Sequence, residues 1–413
     1  MALHRPELQT LPREQLRALQ TERLQSLVRR VFERPIPFFR ARLSEAGIVP
    51  DDIKTLGDLP RIPRTNKDDL RASEAAHPPL GDYRGALLSD CIRLSTSTGT
   101  TGRPTIAVFT RHDLEVEYDA AGRSFARQGY RPGEIITHAH PGGLNGGAAL
   151  LGGAVEAFGA LNVPVGPPAS VADAERAVRL WQEIRPDRYE MFGPALHTFW
   201  EAARSLGVDP VELGMPEPAD LPPHRTVSAG LECFAFLGSA CEQHNGAHVA
   251  EDEAIVEAVD PASGEPVPSG QRGSLVVTTL TKDNAMLRYD LEDLVRLDPS
   301  PCPCGETTVR AFWDGRIKDV VPVAGKALLP MDVQMLLAPI EEVARPALEF
   351  QMVRASGATA LTIRVEAPSP SPALEQRVRT VLAGGLGVPV EVTLLEAGAL
   401  PRPAYKPLRV VDE

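Results

Sequence analysis

A polar, glycine-rich segment carries the densest set of groups that could bind an anion. Residues 95–105 read STSTGTTGRPT, between two segments of strand-like composition. Glycines let a backbone approach an anion closely, and successive N–H groups form an anion-binding nest. The spacing is not the Walker pattern. Hydroxyls add donors and an arginine adds positive charge, so we predict a phosphate loop, the alternative being a flexible surface loop. Its residues are Ser97, Thr98, Gly99, Thr100, Thr101, Gly102 and Arg103.

Three cysteines and one histidine predict a second site of a different kind. Cys302 and Cys304 stand in the tight pair CPCG, and Cys241 and His248 lie upstream. Three soft sulfurs and one imidazole suit a tetrahedral structural Zn²⁺. The alternative is a group of reduced, partly buried cysteines. Five cysteines in a chain of this length fit reduced thiols better than a disulfide framework.

The elements around the loop alternate between helix and strand. Apolar spacing predicts two helices over residues 10–46 and a further helix beginning near Asn66. Behind the loop, strand-like and helical segments follow one another, which argues for a parallel sheet flanked by helices. From Gly246 to Leu297 the pattern becomes rich in strands. An α/β region followed by a β-rich subregion is therefore expected.

The pattern of predicted helices and strands changes again in the C-terminal part. After DGRIKD, the pattern reads helix, strand, strand, helix, strand, an order that suggests a compact α+β domain. The predicted fold class is therefore α/β, with two domains. Residues 1–316 form a large N-terminal domain with parallel sheets and the β-rich subregion, and residues 317–413 form a small α+β domain.

Composition narrows the classes of partner. The 413 residues include 43 Lys and Arg against 55 Asp and Glu, for a net charge of -12. An acidic balance argues against a general nucleic-acid or membrane-surface binder. The sequence contains no run of about 18 apolar residues, so we expect no membrane span. The N-terminal residues lack the apolar core of a signal peptide. We therefore expect a cytoplasmic protein with no nucleic-acid or membrane partner.

Several separated motifs, in order, resemble one enzyme family. The chain is similar to the adenylate-forming enzymes, and to the phenylacetate–CoA ligase family in particular. The motifs are STSTGTTGRPT, LPRIPRTNKDDLR, GSLVVTTLTKDNAMLRYDLEDLVRL, CPCG, DGRIKD and ALPRPAYK. The resemblance implies a large adenylate-forming domain, a mobile C-terminal domain and a homodimer.

The resemblance also implies roles for single residues. Glu232 would ligate the Mg²⁺ of ATP, and Asp293 would accept the ribose hydroxyls. Arg316 would reach the ribose or a phosphate, and Lys318 would be the hinge between the domains. Lys406 would be the catalytic lysine that stabilises developing charge at the reacting centre. Without the resemblance, Glu232 would be a surface carboxylate, Asp293 a solvated strand end and Lys406 a solvated tail residue.

The acyl pocket is predicted from a strand end and a glycine. His138 and His140 stand in ITHAHPGG, where the family has an aromatic-rich strand end, and they could orient an aryl acid. Gly230 belongs to the same predicted pocket. A plain polar loop is the alternative for the two histidines. Ala229 stands where the family usually has a tyrosine beside the adenine.

The predicted activity is ATP-dependent activation of an aromatic carboxylic acid to an acyl-adenylate. The acyl group would then pass to a thiol, for which coenzyme A is the favoured acceptor. One alternative passes the adenylate to a carrier protein or a nitrogen nucleophile. A second alternative is a degenerate nucleotide- or acyl-binding protein without turnover.

Overall fold

A computed structural model describes most of the chain. The described residues are 3–34, 36–96, 104–191, 193–217, 226–230, 232–344, 348–401 and 408–413. Their contacts divide the chain into two compact units. The first unit comprises Met1–Gly166 and His224–Trp313, and the second comprises Pro167–Pro223 and Asp314–Glu413. The predicted division after Arg316 stays a prediction.

The first unit begins with helices and continues as alternating strands and helices. In chain order these elements are α1 (Pro6–Gln9), α2 (Arg13–Glu33), α3 (Pro37–Glu45), α4 (Lys67–Ala76), β1 (Cys91–Thr96), β2 (Ile106–Thr110), α5 (Arg111–Arg127), β3 (Ile135–His138), α6 (Gly147–Phe158) and β4 (Leu161–Pro164). The strands β3 and β4 pair in parallel, as the alternation of strands and helices predicts. The predicted helix near Asn66 is confirmed as α4.

Local chemistry explains where two of these helices begin. The side chain of Asn66 accepts hydrogen bonds from the backbone N–H groups of Asp68 and Asp69, which caps α4. Thr110 accepts from the N–H of Asp113, whose carboxylate accepts from the N–H of Thr110, a reciprocal capping box at the start of α5. The first cap sets the position of Lys67, the first residue of α4.

The middle of the chain contributes α7 (Val171–Ile184), β5 (Arg188–Glu190) and α8 (Gly193–Ser205) to the second unit. Trp181 of α7 packs against Tyr189 and Phe199, with ring centroids 5.2 Å and 4.8 Å away. Aromatic packing therefore joins these three elements.

A seven-stranded sheet follows, and its strands belong to the first unit except for the end of the last one, which lies after Trp313 and belongs to the second unit. Its strands are β6 (Thr226–Val227), β7 (Gly238–Ala240), β8 (Ala247–Val249), β9 (Ala254–Val259), β10 (Gly273–Thr279), β11 (Tyr289–Asp298) and β12 (Arg310–Arg316). The spatial order is β6-β7-β8-β12-β11-β10-β9. This sheet confirms the predicted β-rich subregion. Its apolar residues share a core with Leu24 and Val28 of α2 and Phe39 of α3.

The C-terminal segment has its own core. Its elements are β13 (Val321–Val323), β14 (Lys326–Leu328), α9 (Pro330–Leu337), α10 (Glu341–Ala344), β15 (Phe350–Arg354), β16 (Leu361–Ala367), α11 (Pro372–Leu386), β17 (Val390–Glu396) and β18 (Val410–Asp412). The sheet order is β17-β16-β15-β18, and buried apolar residues of α9 and α11 pack with it. The predicted helix, strand, strand, helix, strand order is confirmed in α9, β15, β16, α11 and β17. Among the described residues, the helices lack the combined length and apolarity that crossing a membrane requires.

Candidate active site and metal-binding cluster

Glu232 is a buried carboxylate with one oxygen left open. Its side chain is 2% exposed, so the surface alternative is wrong. The hydroxyl of Tyr289 donates to Oε1 at 2.9 Å, and Nζ of Lys67 lies 3.3 Å from the same oxygen. Oε2 is buried and has no hydrogen-bond partner among the described residues. A buried polar atom without a partner costs free energy. Carboxylate oxygens are preferred ligands of hard cations, so the residues present fit the predicted Mg²⁺.

The tyrosine beside this carboxylate stays protonated. Burial, together with the Glu232 carboxylate, raises the pKa of Tyr289 well above its ordinary value. The hydroxyl therefore remains a donor to Oε1 over the whole physiological range.

A short extended segment brings Lys67 and Tyr289 to the same place. The N–H of Thr65 donates to the carbonyl of Arg288 at 3.0 Å, and the N–H of Asp290 donates to the carbonyl of Thr65 at 2.7 Å. Thr65 thus forms a parallel bridge with Tyr289. The sequence predictions missed both Lys67 and Tyr289. Each lies inside a motif that carries the family resemblance, and that was the available signal.

Both carboxylate oxygens of Asp290 contact other side chains of the protein. Nη1 of Arg64 lies 2.8 Å from its Oδ2, and the hydroxyl of Ser274 donates to Oδ1 at 2.5 Å. This carboxylate therefore fastens the segment containing Thr65 to β11. Asp293 is partly buried within β11 rather than at its end, and its predicted ribose contact stays a prediction.

Gly230 lies against the carboxylate of Glu232. Its φ is +77°, and a Cβ built on it would lie 2.8 Å from Oε2 of Glu232. The preceding Ala229 is fully buried and donates its N–H to the carbonyl of Phe234 at 2.8 Å. Glu232 therefore sits in a closed turn, and Ala229 belongs to the core.

The two predicted pocket histidines lie together at the end of β3. His138 is the last residue of the strand and is fully buried, so the polar-loop alternative is wrong for it. Its ring centroid lies 6.0 Å from that of His140, edge to face. Burial lowers the pKa of His140, which favours the neutral imidazole.

Other predicted residues lie apart from these groups or outside the described part of the chain. Arg316 ends β12 and Lys318 lies in the short 3₁₀ turn Ile317–Asp319, both in the second unit. Residues 97–103, the predicted phosphate loop, lie outside the described residues. The base of that loop is the antiparallel pair Thr96 and Ile106. Lys406 also lies outside them.

The described residues before and after 402–407 are held by hydrogen bonds. The carboxylate of Glu366 accepts from the N–H of Gly398 at 2.8 Å and from that of Leu400 at 2.6 Å. On the other side, β18 pairs in parallel with β15. The catalytic role of Lys406 stays a prediction.

The four predicted zinc ligands are brought together. The ligand atoms of Cys241, His248, Cys302 and Cys304 all lie within 4.8 Å of one another. The sulfurs of Cys241 and Cys302 are 3.8 Å apart, and Sγ of Cys304 is 3.4 Å from Nε2 of His248. No disulfide links them. Three thiols and one imidazole at this separation fit a tetrahedral ion.

The surroundings of the cluster prepare the histidine for a metal. Nδ1 of His248 lies 3.2 Å from the carbonyl of Thr308, which leaves Nε2 facing the sulfurs. Burial lowers the pKa of His248 to about 4, so the imidazole is neutral. Burial also raises the pKa of Cys304 to about 12. A bound cation would offset that cost, because it favours the thiolate.

Comparisons with known proteins cover nearly the whole chain. The sequence matches no protein-family model. A phenylacetate-coenzyme A ligase from Thermus thermophilus is 36% identical over 451 residues, 99% of this chain and 99% of the relative. A phenylacetate-coenzyme A ligase from Escherichia coli is 28% identical over 98% of this chain and 96% of the relative.

A solved structure is similar over the same extent. The crystal structure of a 2-hydroxyisobutyryl-CoA ligase in the postadenylation state, in complex with R3-HIB-AMP, matches with a TM-score of 0.86 at 26% identity. The match covers 99% of this chain and 92% of that chain. Sequence and structure comparisons thus agree over both units.

Proposed function

The chain belongs to the phenylacetate–CoA ligase family of acid–thiol ligases, and on that premise we propose that it uses ATP to activate an aromatic carboxylic acid. The acid's carboxylate would attack the α-phosphorus of ATP, forming an acyl-adenylate and releasing pyrophosphate. The thiol of coenzyme A would then attack the acyl carbon and release AMP. The observation that carries the proposal is the buried carboxylate of Glu232, whose Oε2 has no partner among the described residues.

The residues of the first unit would hold the nucleotide and its metal. Glu232 would bind Mg²⁺, which supplies charge neutralisation to the phosphates when bound. The loop 97–103 would donate backbone N–H groups and the Arg103 charge to the phosphates. Asp293 would accept the ribose hydroxyls, and Lys67 would add positive charge beside the metal carboxylate.

Two further residues have proposed roles. Lys406 would stabilise the negative charge that develops between the attacking carboxylate and the α-phosphate. Arg316 would contact the ribose or a phosphate. Both roles rest on the family motifs that contain these residues.

The aromatic character of the acid is supported by His138 and His140. Their rings lie edge to face at the end of β3, and burial lowers the pKa of His140. Ring faces and edges beside a pocket favour contact with an aryl group. The named relatives from two bacteria are phenylacetate-coenzyme A ligases. The 2-hydroxyisobutyryl-CoA ligase is named for an aliphatic acid, so the choice of acid needs a direct test.

The Cys and His cluster would bind a structural Zn²⁺. Cys241, His248, Cys302 and Cys304 would supply all four ligands of such a structural site and would leave no position for a substrate. The ion would tie Cys241, which follows β7, and His248 of β8 to the loop before β12. A homodimer and a cytoplasmic location, both predicted from the sequence, are part of the same proposal.

A pyrophosphate-exchange screen tests the proposal. The purified protein is given ATP, Mg²⁺ and one acid at a time from aryl, arylacetic, amino-aryl and aliphatic sets. Exchange with an arylacetic or aryl acid, and AMP release that requires coenzyme A, is the expected result. Exchange with aliphatic acids alone would overturn the aromatic assignment. AMP release that ignores coenzyme A and needs an amine or a carrier protein would overturn the acceptor.

A further inference from the structure

A buried ion pair lies beside the turn that carries Glu232. Lys282 is 2% exposed and Glu117, on α5, is fully buried. Nζ of Lys282 lies 2.8 Å from Oε1 of Glu117. Taking two charges out of water is costly, and apolar residues of similar volume often serve stability as well or better. Such a pair therefore calls for a reason beyond stability.

The pair binds the backbone just after Glu232 at three points. Nζ of Lys282 donates to the carbonyl of Cys233 at 2.8 Å. The carboxylate of Glu117 accepts from the N–H of Ala235 at 3.0 Å and from that of Phe236 at 3.1 Å. Charge-assisted hydrogen bonds are the strong ones. The chain from residue 233 to residue 236 is thus held by side chains from two distant segments.

Aromatic rings complete the surroundings of the ammonium group. Nζ of Lys282 lies 5.3 Å from the ring centroid of Phe109 and 5.5 Å from that of Phe234. The backbone carbonyl of Phe234 accepts a hydrogen bond from the N–H of Ala229, and this bond closes the turn. Burial alone would lower the pKa of Lys282, but the carboxylates of Glu117 and Asp113 raise it overall. The ammonium group of Lys282 is therefore charged at neutral pH.

We propose that Lys282 and Glu117 are positioning residues for the carboxylate of Glu232. By holding residues 233–236 and the closing bond to Ala229, they fix the turn from which Glu232 faces the metal. A functional group has to be held within about 0.5 Å of its productive position. The inference rests on the proposed function, in which Glu232 binds the Mg²⁺ of ATP. It adds two residues that touch neither metal nor substrate.

The pair has a matched control on the same helix. Arg123 of α5 forms an ion pair with Asp252 in which both side chains are 1% exposed and the closest atoms are 2.5 Å apart. The side chain of Arg123 donates hydrogen bonds to Asp119 and Asp252 and not to the backbone of residues 233–236. Breaking either pair leaves an uncompensated buried charge. Lys282→Met and Arg123→Met should therefore both lower the melting temperature.

The metal requirement separates positioning from stability. Pyrophosphate exchange is measured against Mg²⁺ concentration in the full-length variants, well below their melting temperatures. We expect Lys282→Met to raise the KM for Mg²⁺ roughly 10-fold to 100-fold, the range for outer partners of a metal ligand. The KM for the acid and the rate of thioester formation from supplied acyl-adenylate should change little. Arg123→Met should keep the KM for Mg²⁺ of the unaltered protein.

A second variant keeps the inference open to disproof if Lys282→Met does not fold. Glu117→Gln retains the size of the side chain and one accepting oxygen, but removes the charge. It should also raise the KM for Mg²⁺ selectively. An unchanged KM for Mg²⁺ in the folded variants, or an equal rise in Arg123→Met, would overturn the inference alone. Absence of exchange by the unaltered protein with every acid would overturn the proposed function, and this inference with it.

Discussion

Gly230 and the carboxylate of Glu232 occupy adjoining space. A Cβ on residue 230 would lie 2.8 Å from Oε2 of Glu232, closer than a methyl group can approach an oxygen without one of them moving. The carboxylate could give way only by leaving Tyr289 and Lys67, which hold Oε1. A residue without a side chain is therefore a condition for the observed position of Glu232.

Replacing Gly230 tests this relationship. Gly230→Ala places a Cβ against Oε2 at a backbone φ of +77°. Holding a residue other than glycine in the left-handed region costs about 1–3 kcal/mol, so stability should fall. The displaced carboxylate should also raise the KM for Mg²⁺ in pyrophosphate exchange.

Gly270→Ala is the matched control for that variant. Gly270 has a φ of +79° and open space where a Cβ would stand. It should lose a similar amount of stability in denaturant unfolding, with an unchanged metal requirement. Equal metal requirements in the two variants would contradict the role given to Gly230.

Tyr289→Phe should weaken both stability and metal binding. The substitution removes the hydroxyl that donates to Oε1 of Glu232 at 2.9 Å. A hydrogen bond to a charged group contributes about 1.5–3 kcal/mol, and its loss leaves a buried carboxylate less satisfied. We expect a lower free energy of unfolding and a higher KM for Mg²⁺.

A second buried tyrosine provides the comparison for Tyr289→Phe. Tyr189 donates to the carbonyl of Leu213 at 2.8 Å, a bond to a neutral acceptor. Tyr189→Phe should cost about 1 kcal/mol of unfolding free energy, with exchange kinetics unchanged. If Tyr289→Phe behaves in the same way, its hydroxyl does not position Glu232.

Removing one cysteine of the metal cluster should release the metal. Elemental analysis of protein purified without chelator should find zinc, and Cys302→Ser should lose it. Stability should fall by about 3–4 kcal/mol where free zinc exceeds the Kd by 100-fold to 1,000-fold. Cys91→Ser alters a half-buried cysteine outside the cluster and should keep the metal. Absence of zinc from the unaltered protein would reject the site.

Lys406→Ala separates the two half-reactions. The lysine would act on the charge that develops at the α-phosphate, so its loss should suppress acyl-adenylate formation strongly. Thioester formation from supplied acyl-adenylate should be affected much less. The rates of the two half-reactions should be measured separately, because an equal loss of rate in both would contradict the role assigned to Lys406.

The sequence predicted the fold class and the grouping of three cysteines with His248, whereas the bound zinc stays a prediction. The helix, strand, strand, helix, strand order of the C-terminal segment follows from apolar spacing alone, because each short element buries one face. The four candidate ligands, Cys241, His248, Cys302 and Cys304, were identifiable because few other residue types supply soft ligand atoms. His138 was placed correctly at a strand end, whereas the alternatives of an exposed Glu232 and a polar loop at His138 were wrong. Burial depends on what packs above a residue, which spacing does not show.

The sequence by itself determined the family and the chemical types of the site residues, since these depend on motif order. Only the tertiary structure decided which side chains surround Glu232. Thr65 forms an isolated parallel bridge with Tyr289, and this bridge brings Lys67 and Tyr289 to the carboxylate of Glu232. Lys282 and Glu117 meet across 165 positions of the chain and hold the turn that follows. These contacts arise from long-range pairing and burial. The free energy of each contact depends on neighbouring residues that are distant in the sequence.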